Sequence, residues 1–130
     1  MVRYAYDKGI NYFDTAESYG NGAAERAIGE AMHHMDRAKI FIATKAGARE
    51  GDSAETVVER VRRSLERLQT DYVDAYSMHG TSTVEALSHP GYHAAMDQLK
   101  AEGRVRFTGV SFHGPRQASQ PSMADVLTAA

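Results

Sequence analysis

The sequence predicts a parallel α/β fold in which strands alternate with helices. Three observations predict it. Short β-branched or aromatic runs recur at 10–14 (INYFD), 39–44 (KIFIAT), 72–78 (YVDAYSM) and 105–112 (VRFTGVSF). Between them lie stretches whose apolar residues return every three or four positions, the period of a helix with one buried face. Each strand–helix unit occupies about 30 residues, which is the length a βαβ crossover needs.

Residues 2–8 (VRYAYDK) have the composition of a helix end, with Gly9 placed for a left-handed cap. Strand 10–14 runs into the polar turn TAESYGNG, and Ala24, Ala27, Ile28, Ala31, Met32 and Met35 then mark a helix over 23–35. The apolar run 39–44 suits a strand buried on both faces. Asp52 and Glu55 form a capping box for a helix over 53–69, buried along Val57, Val58, Val61, Leu65 and Leu68, with Glu59 and Arg63 paired on its surface. After strand 72–78, Pro90 opens and Gly103 stops a helix over 90–102. The fourth strand follows, and MADVLTAA begins another helix. The Gln/Ser/Pro-rich segment 113–122 between them is a loop.

With 130 residues, 42% of them hydrophobic, the chain can bury one core, and a net charge of -2 gives no electrostatic basis for binding nucleic acid. The absence of cysteine rules out, within this stretch, a disulfide framework, a thiolate zinc site and an iron–sulfur cluster. No apolar run reaches the length of a membrane span and the first residues lack a leader pattern, so a cytoplasmic protein is the expectation.

The chemistry lies at one end of the strands. Asp14 closes the first, Tyr19 follows in the next loop, Lys45 closes the second and His79 the third. A parallel sheet gathers those ends into one mouth. A phenol is a poor acid at neutral pH until a buried cation favours its ionised form, and a carboxylate can keep that cation charged. Moving a tyrosine from about 10 toward 7 takes roughly 4 kcal/mol, which a close and poorly solvated ammonium supplies and a surface lysine does not. Lys45 is therefore expected to be buried, with His79 a neutral donor to a substrate oxygen.

Taken together, GINYFDTAESYGNG, ERAIGEAM, KIFIATK, SLERLQTDYVDAYSMHG and LKAEGRVRFTGVS resemble the aldo-keto reductase family in order and spacing over about residues 4–114. The resemblance implies a (β/α)8 TIM barrel that reduces carbonyls with NADPH, and makes these strands its second through fifth. Asp14, Tyr19, Lys45 and His79 coincide with the family's catalytic tetrad. Tyr19 would protonate the carbonyl oxygen as hydride arrives, Lys45 would assist its ionisation, Asp14 would pair with Lys45, and His79 would orient the carbonyl. Asp14, Ser111 and His113 would lie at the cofactor. Where the family usually has Gly-Val-Ser-Asn, this chain reads Gly109-Val110-Ser111-Phe112-His113, so the serine matches and His113 is the polar substitute for the asparagine. A Ser-x-His-Gly ending is also similar to a divergent branch with iron–sulfur-linked members, whose cluster would lie outside these residues.

A barrel of this class runs to about 250 residues and eight strands. Against four here, the expectation is one incomplete barrel domain over 1–130, lacking the first strand and the C-terminal half. Its open sheet edges would promote self-association.

Other readings compete. Asp14, His79 and His113 could ligate a divalent metal, but barrel hydrolases commonly use a His-x-His pair, absent here, and Lys45 would oppose the cation. A barrel remnant could bind a nucleotide or partner without turnover. Gly20 and Gly22 read as turn residues, His33 and His34 as exposed helix-end residues, Met32, Met35, Met78 and Met96 as core fillers, and the mixed charges over 59–67 as a solvated face.

Overall fold

The computed structural model describes residues 1–81, 83–114 and 122–128. Its strands are β1 (Tyr12–Asp14), β2 (Phe41–Ala46), β3 (Val73–Met78) and β4 (Val105–Val110), and its helices α1 (Val2–Asp7), α2 (Ala23–Met32), α3 (Ala54–Leu68), α4 (Val84–Leu87), α5 (Pro90–Ala101) and α6 (Met123–Thr128). The four strands form one sheet in chain order, every neighbouring pair parallel. Among the described residues no helix is long and apolar enough to cross a membrane.

Register fixes which side chains share a face. Asp14 pairs with Ala43, Ala43 with Ala75 and Ala75 with Phe107; one step further, Lys45 pairs with Ser77 and Ser77 with Gly109. Alternation sends Ile42, Tyr76 and Met78 the other way, into a core shared with Ile28, Val57, Val61, Leu65, Leu68, Met96 and Leu99. Each such fully buried aliphatic side chain contributes about 1.5–3 kcal/mol of transfer free energy. The opposite face is largely open, and Tyr12 and Phe107 on it are 55% and 60% exposed. Helices α2, α3 and α5 therefore cover one side of the sheet, while α6 borders the open face.

Several boundaries moved for identifiable reasons. Helix α2 ends at Met32, and Asp36 then caps a 3-10 turn over Arg37–Lys39 by accepting from the Ala38 amide at 3.1 Å. The Arg37 guanidinium pins that turn, donating to the carbonyls of Ile40 and Tyr72 and to Asp74. Strand β2 consequently starts at 41 and runs to 46, which places Lys45 inside the strand rather than just past it. Ser53, not Asp52, caps α3, accepting from the Thr56 amide. Asp52 is drawn away by Arg60 at 2.9 Å and by the Arg49 amide, contacts that hold its carboxyl below the usual carboxylate range. The short α4, capped by Thr83, has too few residues to leave a periodic trace in the sequence.

The run over 59–67 is not wholly solvated. Glu59 and Arg63 pair on the surface at 3.3 Å, but the Arg60 and Arg67 side chains are only 15% and 19% exposed and serve fixed partners. Met35, Met78 and Met96 are buried and Met32 is half-buried, as core fillers should be. His33 and His34 are exposed. Most of the 113–122 loop, residues 115–121, lies outside the described residues.

Candidate active site

Three strand ends and one loop converge on Lys45. Its position in β2, opposite in pleat to Thr44 and Ala46, turns the ammonium to the open face, yet the side chain is only 8% exposed. Nζ lies 2.5 Å from Oδ1 of Asp14 and 2.9 Å from the Thr15 carbonyl oxygen. A buried ammonium loses its hydration, and these two acceptors replace it.

The β1–α2 loop is stitched to β2. The Thr15 amide donates to the Ala43 carbonyl and the Glu17 amide to the Lys45 carbonyl, at 2.9 and 3.0 Å. Within the loop the Tyr19 amide donates to Ala16, and glycines 20 and 22 take positive φ of 58° and 79°, so the chain turns sharply into α2. Those contacts bring the Tyr19 ring to Lys45, whose Nζ is 5.1 Å from the ring centroid.

His79 follows β3 directly and its amide donates to the Ala46 carbonyl. Its ring meets Tyr19 edge-on at 5.8 Å between centroids, and Nδ1 lies 3.5 Å from the Ser18 hydroxyl. Loss of hydration pulls the imidazole below its ordinary pKa, and the Lys45 and His113 charges pull the same way against a smaller opposing pull from Asp14. His79 is thus held neutral near pH 7. His113, exposed beyond β4, places its ring 5.8 Å from that of His79.

The six residues singled out from the sequence fall into two adjoining groups. Asp14, Lys45 and Ser111 line a hollow of about 440 Å³ on the open face, floored by Ala43 and Ala75. Tyr19, His79 and His113 form a row of rings, with Tyr19 against Lys45. Sequence reasoning missed Ser18 beside His79, Thr15 beneath Lys45, and Val126 and Leu127 of α6, which border the hollow. Ser18 stood in the quoted turn motif; α6 is brought in by tertiary packing alone. A second groove of similar volume, at Arg62, Asp71 and Arg104, opens at the opposite end of the strands, away from these groups. Asp14 is engaged by Lys45, and among the described residues no three His, Cys, Asp or Glu side chains form a group that could hold a metal ion.

The family model "Aldo/keto reductase family" matches residues 1–127. An "uncharacterized oxidoreductase YqkF" of Bacillus subtilis (strain 168) is 38% identical over 116 residues, covering 82% of this chain and 37% of that protein. L-galactose dehydrogenase of Arabidopsis thaliana is 38% identical over 120 residues, covering 85% and 36% respectively. Among solved structures, an aldo-keto reductase from Klebsiella pneumoniae in complex with NADPH superposes with a TM-score of 0.74 at 30% identity, covering 98% of this chain and 40% of that one. The chain spans a little over a third of the length of the curated relatives it matches, 37% and 36% for the two named. Its strand and helix order corresponds to part of the (β/α)8 barrel of those reductases. Sequence, fold and strand-end geometry agree: the chain belongs to the aldo/keto reductase family.

Proposed function

We propose that this chain carries the proton-donating half of an NADPH-dependent carbonyl reductase, acting on an aldehyde or ketone. The observation that carries the reading is the buried Lys45 ammonium held between Asp14 and the Tyr19 ring.

The hollow on the open face suits one end of the cofactor. Ala43 and Ala75 keep its floor low, while the Ser111 hydroxyl and Asp14 carboxylate offer polar groups, which fits a flat, amide-bearing ring such as nicotinamide. Among the described residues Lys45 is the one cation lining it and is already paired with Asp14, so the hollow suits the nicotinamide end rather than the phosphates. Asp14, Ser111 and His113 would hold that end, with His113 standing in for a carboxamide-binding asparagine. When bound, NADPH supplies the hydride.

The chain's own groups handle the proton. Tyr19 donates its phenolic proton to the carbonyl oxygen, and the Lys45 ammonium stabilises the phenolate left behind. Asp14 holds the Lys45 ammonium in place. In the His79 tautomer whose Nδ1 accepts from Ser18, the proton of the neutral ring sits on Nε2, free to donate to the same carbonyl oxygen. In the reverse direction the Tyr19 phenolate acts as base.

Fluorescence titration of NADPH, followed by an assay with a small aldehyde, tests the proposal. Saturable binding and aldehyde-dependent oxidation of NADPH are expected, and no binding at high protein concentration would refute it. A second reading, binding without turnover, draws on the wide exposure of Tyr12 and Phe107 on the open face. Saturable binding with no turnover would favour it.

A further inference from the structure

Glu25 is fully buried and has no part in the chemistry just described. It is the third residue of α2, where a carboxylate also favours the helix N-terminus. One oxygen, Oε1, accepts from the Thr44 hydroxyl at 2.6 Å; the other, Oε2, accepts from Arg67 Nε at 2.6 Å. Arg67 lies against the first turn of α2: a Cβ on Gly22 would come within 2.7 Å of Arg67 Cδ. The carboxylate thus ties α2, α3 and β2 at one point.

One hydrogen-bond partner of Glu25 and one sequence neighbour both lead to the site. Thr44 precedes Lys45 in β2, with the two side chains on opposite faces of the sheet. Ala24 precedes Glu25, and its amide donates to the Tyr19 carbonyl at 3.3 Å. The N-terminal side of the loop is already fastened to β2 through Glu17 and Lys45. Glu25 fastens the other side.

A buried charged pair seldom stabilises a fold more than well-packed apolar residues would. Its directional bonds fix a separation, which an apolar contact leaves loose. We propose that Glu25 is a positioning residue that sets the distance between Tyr19 and Lys45, a role that rests on the reductase reading above.

The test uses the full chain with labelled aromatic rings and four substitutions. In the parent, the Tyr19 and His79 rings, 5.8 Å apart between centroids, should give a nuclear Overhauser contact. Glu25→Gln and Thr44→Val are expected to weaken that contact severalfold and shift the Tyr19 ring resonances, while Thr44→Ser restores both. Asp74→Asn, at a buried carboxylate remote from the loop, serves as the structural control and should lower stability without moving the Tyr19 signals. In the aldehyde assay, Glu25→Gln should lower kcat on the order of tenfold or more with KM nearly unchanged, since small misplacements of catalytic groups cost that much.

Unchanged ring contacts in Thr44→Val overturn the proposal, and this variant decides if Glu25→Gln fails to fold. Equal displacement of the Tyr19 signals by Asp74→Asn overturns it too. A parent chain without turnover refutes the reductase reading and leaves the ring-contact result to judge the positioning role separately.

Discussion

Lys45 and Asp14 form an ion pair of unequal burial: Nζ and Oδ1 are 2.5 Å apart, yet the lysine side chain is 8% exposed and the aspartate 52%. The carboxylate can fall back on water; the ammonium cannot. Removing the aspartate therefore leaves a buried cation with the Thr15 carbonyl as its remaining protein acceptor among the described residues.

Asp14→Ala should cost about 1–3 kcal/mol of stability, the penalty of a buried polar group that loses a partner, tempered by the solvent access on the aspartate side. Lys45→Met should cost less, because the buried stem is replaced by a similar apolar one and Asp14 regains water. Urea denaturation of both variants checks the order. A larger loss for Lys45→Met would contradict it.

Tyr19→Phe removes the proposed proton and leaves the ring contacts with Lys45 and His79 in place. Turnover should fall by roughly 10²–10⁴, the usual weight of a positioned general acid, with NADPH affinity nearly intact. Steady-state assays paired with fluorescence titration separate the two quantities. Equal rates would remove Tyr19 from the chemistry.

His79 makes stability depend on pH with a definite sign. Its folded pKa lies below the unfolded value, so the unfolded chain binds the proton first as pH falls. The stabilisation is complete above the unfolded pKa of about 6.5 and is lost as pH drops through the folded value. His79→Gln should flatten the decline in melting temperature below about pH 6.5 relative to the parent. An identical slope in both proteins would show that His79 titrates normally.

Gly29→Ala sets two effects against each other. Alanine favours a helix interior by about 1 kcal/mol. The added Cβ, however, would lie 2.3 Å from the Arg67 carbonyl oxygen, a backbone atom that cannot step aside cheaply. Overpacking of that kind costs about 1–3 kcal/mol or more, so net destabilisation is expected in a denaturant midpoint. A stabilised variant would mean that α2 and α3 can slide apart.

The sequence made the sheet legible because the relevant signals are local. Runs such as KIFIAT and YVDAYSM mark strands, and the Val57-to-Leu68 stripe marks α3 without reference to anything distant. Boundaries failed where a remote side chain intervened. Arg37 reached Tyr72 and Asp74 and delayed β2 by two residues, and Arg60 took Asp52 away from the cap of α3. The site was half legible: Asp14, Tyr19, Lys45 and His79 stood out at strand ends, and the fold gathers them. Ser18, Glu25 and the α6 border had no local mark.

By itself the sequence determined the alternation of strands and helices, their parallel arrangement and the identity of the polar groups at one end, since periodicity and strand-end position are properties of neighbouring residues. Only the tertiary structure decided that the Lys45 ammonium is buried against Asp14 and Thr15, that Arg67 is a core partner of Glu25 rather than a surface charge, and which face of the sheet lies open. Burial and pairing are set by residues tens of positions away, and no window of sequence contains them.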